Sequence, residues 1–118
     1  MATYSKQLLS GSTNGKAILV SGTATGSANT IHTATSGASN LDEIWIYAVN
    51  TSNSNVKLTI EYGETTSPNG HIEVTVQAEA GAVCIVPGFL LQNSLVVKAF
   101  AGTTNVIAIH GFVNRVTA

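Results

Sequence analysis

Between positions 55 and 77 the side chains alternate in character at every step. Val56, Leu58, Ile60 and Tyr62 are interleaved with Asn55, Lys57, Thr59 and Glu61, and Ile72, Val74 and Val76 with His71, Glu73, Thr75 and Gln77. A period of two puts each set on one side of an extended strand, so this stretch reads as two strands with one dry and one wet face. Between them, Ser67-Pro68-Asn69-Gly70 supplies a proline that fixes φ and an Asn-Gly pair that tolerates positive φ, which closes the strands into a hairpin. An amphipathic helix needs apolar residues three and four apart, and no part of the 118 residues keeps that spacing for more than two turns.

The same reading places strands at 17–23, 29–35, 43–50, 55–62, 71–77, 82–86, 94–100 and 105–114. Short strands at this spacing predict an all-β fold, a two-layer antiparallel β-sandwich of about eight short strands. The sandwich spans 16–118 as one domain and 1–15 forms an N-terminal arm, whose free backbone groups suit it to adding as a strand to a neighbour's sheet. Residues 10–40 are dominated by Gly, Ser, Thr, Ala and Asn. They read either as flexible linker or as Thr-rich edge strands, with β-branched Thr30, Thr33 and Thr35 favouring strands. Gly22-Thr23-Ala24-Thr25-Gly26-Ser27 lacks the lysine and following helix of a phosphate-binding loop and reads as a turn, and Pro87-Gly88 reads as the end of a strand.

Alternation fails in three places. In 43–50, Ile44, Ile46 and Ala48 oppose Trp45, Tyr47 and Val49. In 94–100, Leu95, Val97 and Ala99 oppose Val96 and Phe100. In 105–114, Ile107, Ile109 and Val113 oppose Val106, Ala108 and Phe112. A two-layer domain of this length does not readily cover both faces of three strands from within. Loops and the arm can cover one of them; for three, a homo-oligomeric or partner interface is the stronger reading. The candidate contact residues are Trp45, Tyr47, Val96, Phe100, Ile107 and Ile109.

Composition points the same way. Charged residues make up 9% of the chain, against about 25% in an average soluble domain, and interface cores are depleted in charge. Five Lys and Arg against six Asp and Glu give no basic footprint, so nucleic acid and membrane surfaces are not expected partners. The start of the chain lacks the apolar run of a signal peptide, and synthesis and folding in a cytoplasm are expected. One cysteine makes no internal disulfide, and Cys84, within Ala82-Val83-Cys84-Ile85-Val86, reads as a small core residue.

Chemistry-bearing residues are few. His32, His71 and His110 lack zinc-like spacing. His71 is read on a wet face and His110 in or beside the core, and all three are read as structural. Glu61 and Glu73 are read as solvated acids on the wet face of the hairpin rather than as a catalytic pair. The chain is therefore expected to be non-enzymatic, without metal or cofactor. A carbohydrate-binding module using Trp45, Tyr47 and Tyr62 is the alternative function.

One further pattern is carried by Val86-Pro87-Gly88-Phe89, by Leu95-Val96-Val97-Lys98-Ala99-Phe100 and by the closing Asn105-Val106-Ile107-Ala108-Ile109-His110-Gly111-Phe112-Val113-Asn114-Arg115. In this setting, poor in charge and rich in Thr, Ser, Asn and Gly, the chain from about Ile44 to Arg115 resembles small structural proteins of tailed-phage virions. The resemblance implies a jelly-roll-like sandwich located in the virion. It would attach in many copies to the major capsid protein or another virion protein, as head decoration or cement, or serve as a neck or tail component. It also implies an oligomer, by precedent a trimer, acting by surface complementarity.

Overall fold

The structure, a computed structural model, describes residues 2–118, and in it the alternating segments become antiparallel strands. They are β1 (Thr3–Leu8), β2 (Ile18–Val20), β3 (Asn29–Thr33), β4 (Leu41–Asn50), β5 (Val56–Tyr62), β6 (His71–Val76), β7 (Val83–Leu91), β8 (Val96–Ala101) and β9 (Ile107–Thr117), with one 3₁₀ turn at Thr25–Ser27. One sheet runs β1-β9-β4-β7, with β2 also paired to β9; the other runs β3-β8-β5-β6. Taken from β2 onwards, β2-β9-β4-β7 facing β3-β8-β5-β6 is the strand order of a jelly roll.

The inward sides of the alternating strands meet in one core. Ile44, Ile46, Leu58, Ile60, Val97, Ile107 and Ile109 are all at 0% exposure. Each side chain so buried contributes on the order of 1.5–3 kcal/mol. In the β5–β6 hairpin the expected register is observed, with Val56 opposite Val76, Leu58 opposite Val74 and Ile60 opposite Ile72. Tyr62 crosses between the layers, its hydroxyl donating to the Phe89 carbonyl at 2.9 Å. Burial, with the Asp42 charge adding to it, pushes this phenol well above the ordinary tyrosine range.

Several segments depart from the sequence reading. Within the stretch read as an arm, whose residue 1 lies outside the described residues, β1 pairs with β9 of its own chain from Thr3 opposite Thr117 to Leu8 opposite Phe112. The chain then turns inward: Leu9 is 2% exposed in the core, Gly11 N–H donates to the Ile31 carbonyl, and the Ser10 hydroxyl accepts from Thr33 N–H. Strand β7 does not end at Pro87-Gly88. Its register shifts there, Trp45 facing Pro87 and Ile44 facing Phe89, so Gly88 is the extra residue of a bulge at φ +82°. Proline is tolerated because β7 is a sheet edge.

The connection from β2 to β3 crosses from one sheet to the other and lies against the outer face of the four-stranded sheet, where Thr25 Oγ1 donates to Glu61 Oε2 at 3.0 Å. Glu61, expected to be solvated, is consequently 1% exposed, and Thr59, flanked in register by Glu73 and Phe100, is 2% exposed. Glu61 pairs in register with His71, and Glu73 with Thr59, so the two acids are not directly opposed.

Candidate functional site

Strand β4 alternates without a break, buried residues inward and half-buried residues outward. Register then decides which neighbours its outward residues meet. Trp45 lies beside Phe112 of β9, Tyr47 beside His110 and Val49 beside Ala108. On the far side of β9, Leu8 and Lys6 of β1 flank Phe112 and Asn114, and Leu19 of β2 flanks Ala108. The outer face of the five-stranded sheet therefore carries a continuous aromatic and aliphatic surface, on which Leu8 and Leu19 are exposed at 55% and 50%.

The centre of this surface is held in one geometry. The Trp45 and Phe112 rings stack with centroids 6.1 Å apart and planes 9° from parallel, and the Lys6 ammonium sits 4.9 Å over the Phe112 ring. Glu43 Oε2 accepts from Trp45 Nε1 at 2.7 Å and from Asn114 Nδ2 at 2.9 Å. These two donors hold the Glu43 carboxyl below the usual glutamate range. On the other side of the indole, Gly88 permits close approach of β7, since a Cβ there would stand 2.8 Å from Trp45 Cζ2. A large aromatic with its rotamer fixed loses little entropy when it is covered, which suits it to anchor a contact.

The six candidate contact residues fall in three environments. Trp45 and Tyr47 stand on this surface. Val96 and Phe100 lie on the outward side of β8, on the opposite face of the sandwich, where the Phe100 ring meets His71 edge-on with centroids 6.0 Å apart. Ile107 and Ile109 are core residues, both at 0% exposure and closed to any partner. The outward residues of that strand are Ala108, His110 and Phe112, so the parity chosen for it from sequence is reversed. His110 is exposed rather than beside the core, and Cys84 is exposed rather than buried.

Phe112, Leu8, Lys6 and Leu19 complete the surface and were missed. Phe112 stood on the face opposed to the chosen Ile107 and Ile109, and its pairing with Trp45 depends on a register between strands more than sixty positions apart. Leu19 lies within the apolar run Ile18-Leu19-Val20 and Leu8 stands next to Leu9, and neither run tells which of its residues faces outward.

The buried titratable groups form two separate constellations. At the end of the core where β3, β4 and β9 meet, Asp42 Oδ1 accepts from Arg115 Nε at 2.8 Å. Its Oδ2 accepts from Arg115 Nη2 at 3.0 Å and Thr35 N–H at 3.1 Å, and lies 2.8 Å from His32 Nε2. His32 Nδ1 accepts from Ser10 N–H, which leaves Nε2 to carry the proton that faces Asp42. Burial works to raise the Asp42 carboxyl, but hydrogen bonds from Arg115 and His32, with the Arg115 charge, outweigh it and hold the group below its ordinary value. The same contact raises Arg115. This constellation ties both sheets and the segment after β1 together.

The second constellation is Glu61, Thr25 and His71 on the covered outer face of the four-stranded sheet. The three histidines thus lie in the core, on one outer face and on the other. Among the described residues no three His, Cys, Asp or Glu side chains converge as metal ligands would. Comparisons with protein-family models, with curated proteins and with solved structures found no match.

Proposed function

We propose that this chain is a non-enzymatic structural protein of a tailed-phage virion, a capsid-decoration subunit that self-associates and binds the phage head to stabilise it. The observation that carries the reading is the outer face of the five-stranded sheet. Trp45, stacked on Phe112 and fixed by Glu43, shares that face with half-buried Tyr47 and with the exposed Leu8 and Leu19. Water contact with that much apolar surface is unfavourable, and packing a second copy there removes it. The jelly-roll order and the scarcity of charge support the same reading.

In this reading the five-stranded face packs against neighbouring copies, and attachment to the capsid uses other parts of the surface. Many copies acting together turn modest individual contacts into firm attachment. The test is the solution mass of the protein by light scattering at low and high salt, followed by sedimentation with capsids of the phage that encodes it. A salt-insensitive mass at a small multiple of 12.1 kDa and cosedimentation are expected. A monomer at all concentrations that stays in the supernatant overturns the proposal. If that monomer's tryptophan emission responds to sugars, the stacked Trp45 is instead the platform of a carbohydrate-binding module.

A further inference from the structure

The cover over the four-stranded sheet leaves one end open. Beyond the end of β5 and beside the start of β8 lies a pocket of about 240 Å³, whose lining includes Glu61, Glu64, Thr65, Leu95, Val96 and Lys98. Glu61 is 1% exposed, and its two oxygens differ. Oε2 accepts from Thr25 Oγ1 at 3.0 Å and lies 3.3 Å from His71 Nε2, which is also 3.0 Å from the Thr65 carbonyl. Oε1 is buried with no hydrogen-bond partner among the described residues. A buried carboxylate oxygen without a donor is costly, and this one is held in place by the pairing of Glu61 with His71 on one side and Lys98 on the other.

The rest of the lining indicates which donor fits. Leu95 and Val96 give apolar walls, and Glu64 brings a second carboxylate against the single ammonium of Lys98, so the pocket is apolar along its sides and net negative. That combination matches an ammonium on an aliphatic stem, with methylenes against Leu95 and Val96 and the charged end on the orphaned oxygen. We propose that this pocket receives the side chain of a lysine from the protein to which the chain attaches, an inference that rests on the attachment reading above. Lys98 sets the strength of the contact. Lys98 lies opposite Glu61 in strand register and lines the same pocket, so its like charge repels the guest, and it swings aside as the guest enters.

The probe is Nα-acetyl-lysine N-methylamide, titrated into the isotopically labelled full chain and followed by amide NMR shifts. The comparators are the norleucine derivative, methyl glucoside and putrescine. Saturable shifts confined to residues 61–65 and 94–98 are expected for the lysine derivative. Affinity should fall at least about tenfold in Glu61→Gln and rise several-fold in Lys98→Ala. Leu95→Trp changes a residue that is 43% exposed and leaves the carboxylate intact, so it blocks the pocket even if Glu61→Gln fails to fold. Equal binding of the norleucine derivative overturns the proposal, as does weaker binding in Lys98→Ala or occupancy by the glucoside. Binding of putrescine alone would make a free polyamine the guest and overturn the lysine. Capsid sedimentation separates the two readings: attachment without lysine binding sinks the pocket alone, and lysine binding without attachment sinks the decoration role.

Discussion

The two outer faces of the sandwich receive opposite treatment from one chain. Over the four-stranded sheet, the β2–β3 connection lies against the strands, and Thr59 and Glu61 are as buried as core residues. On the five-stranded sheet Trp45, Tyr47 and Phe112 stay partly exposed and Leu8 and Leu19 largely so. Polar residues are covered from within and aromatic residues are left outward. Burial on folding alone favours the reverse, so the difference supports the reading that the five-stranded face is covered in the assembled state by another copy.

The largest expected effect concerns what holds the two faces together rather than either face. Asp42→Ala should cost about 3–5 kcal/mol, because it leaves buried His32 and the Arg115 guanidinium without their partner, as read from denaturant unfolding. The Asp42 carboxyl is more acidic folded than unfolded. The tie is therefore fully stabilising above the ordinary value of 3.8 and is lost as pH falls through the lower folded value. An unfolding midpoint for Asp42→Ala that matches wild type at neutral pH would show that the sheets do not depend on this tie.

Trp45→Ala comes next and bears directly on the comparison. It should weaken self-association by about 2 kcal/mol or more, read as a shift of the light-scattering mass towards monomer. Unchanged association with a destabilised fold would place Trp45 in the service of its own chain, and the contrast between the faces would collapse. A smaller effect belongs to the covered face, where Thr25→Val removes one hydrogen bond to a buried carboxylate. A loss of about 1.5–3 kcal/mol in folding stability and faster amide exchange at Thr59 and Glu61 are expected. No change in exchange there would show that the connection does not seal the sheet. The smallest is Lys57→Ala, which breaks a 3.4 Å pair with Glu73 on the part of that face still open to water, the side chains being 60% and 47% exposed. A change within about 0.5 kcal/mol is expected, and a larger one would mean that the cover extends further than residues 21–28.

What could be read in advance followed from local alternation. The hairpin at 55–77 appears with its expected core residues because side-chain parity and turn chemistry are properties of adjacent positions. Parity gave no answer in β9, where both faces are apolar and burial is set by which side meets the other sheet; there Ile107 and Ile109 proved to be core. Strand β1 has no alternating pattern and depends on β9 continuing past the sandwich to Thr117. The burial of Glu61 was illegible because its cover comes from a turn thirty-six positions earlier. The bulge at Gly88 was masked by a Pro-Gly pair that ordinarily ends a strand and here only bends an edge.

The pairing of Thr3 with Thr117 has a mechanical consequence. Chain entering β1 and chain leaving β9 emerge side by side at one tip, so tension applied through both would load the last pair of the ladder first. The strands would part like a zip, one rung after another from Thr117 towards Phe112, rather than resist in shear with all rungs engaged. A pull of that kind peels β1 away at low force, and the jelly roll beyond Leu9 is reached only after the peeling is complete.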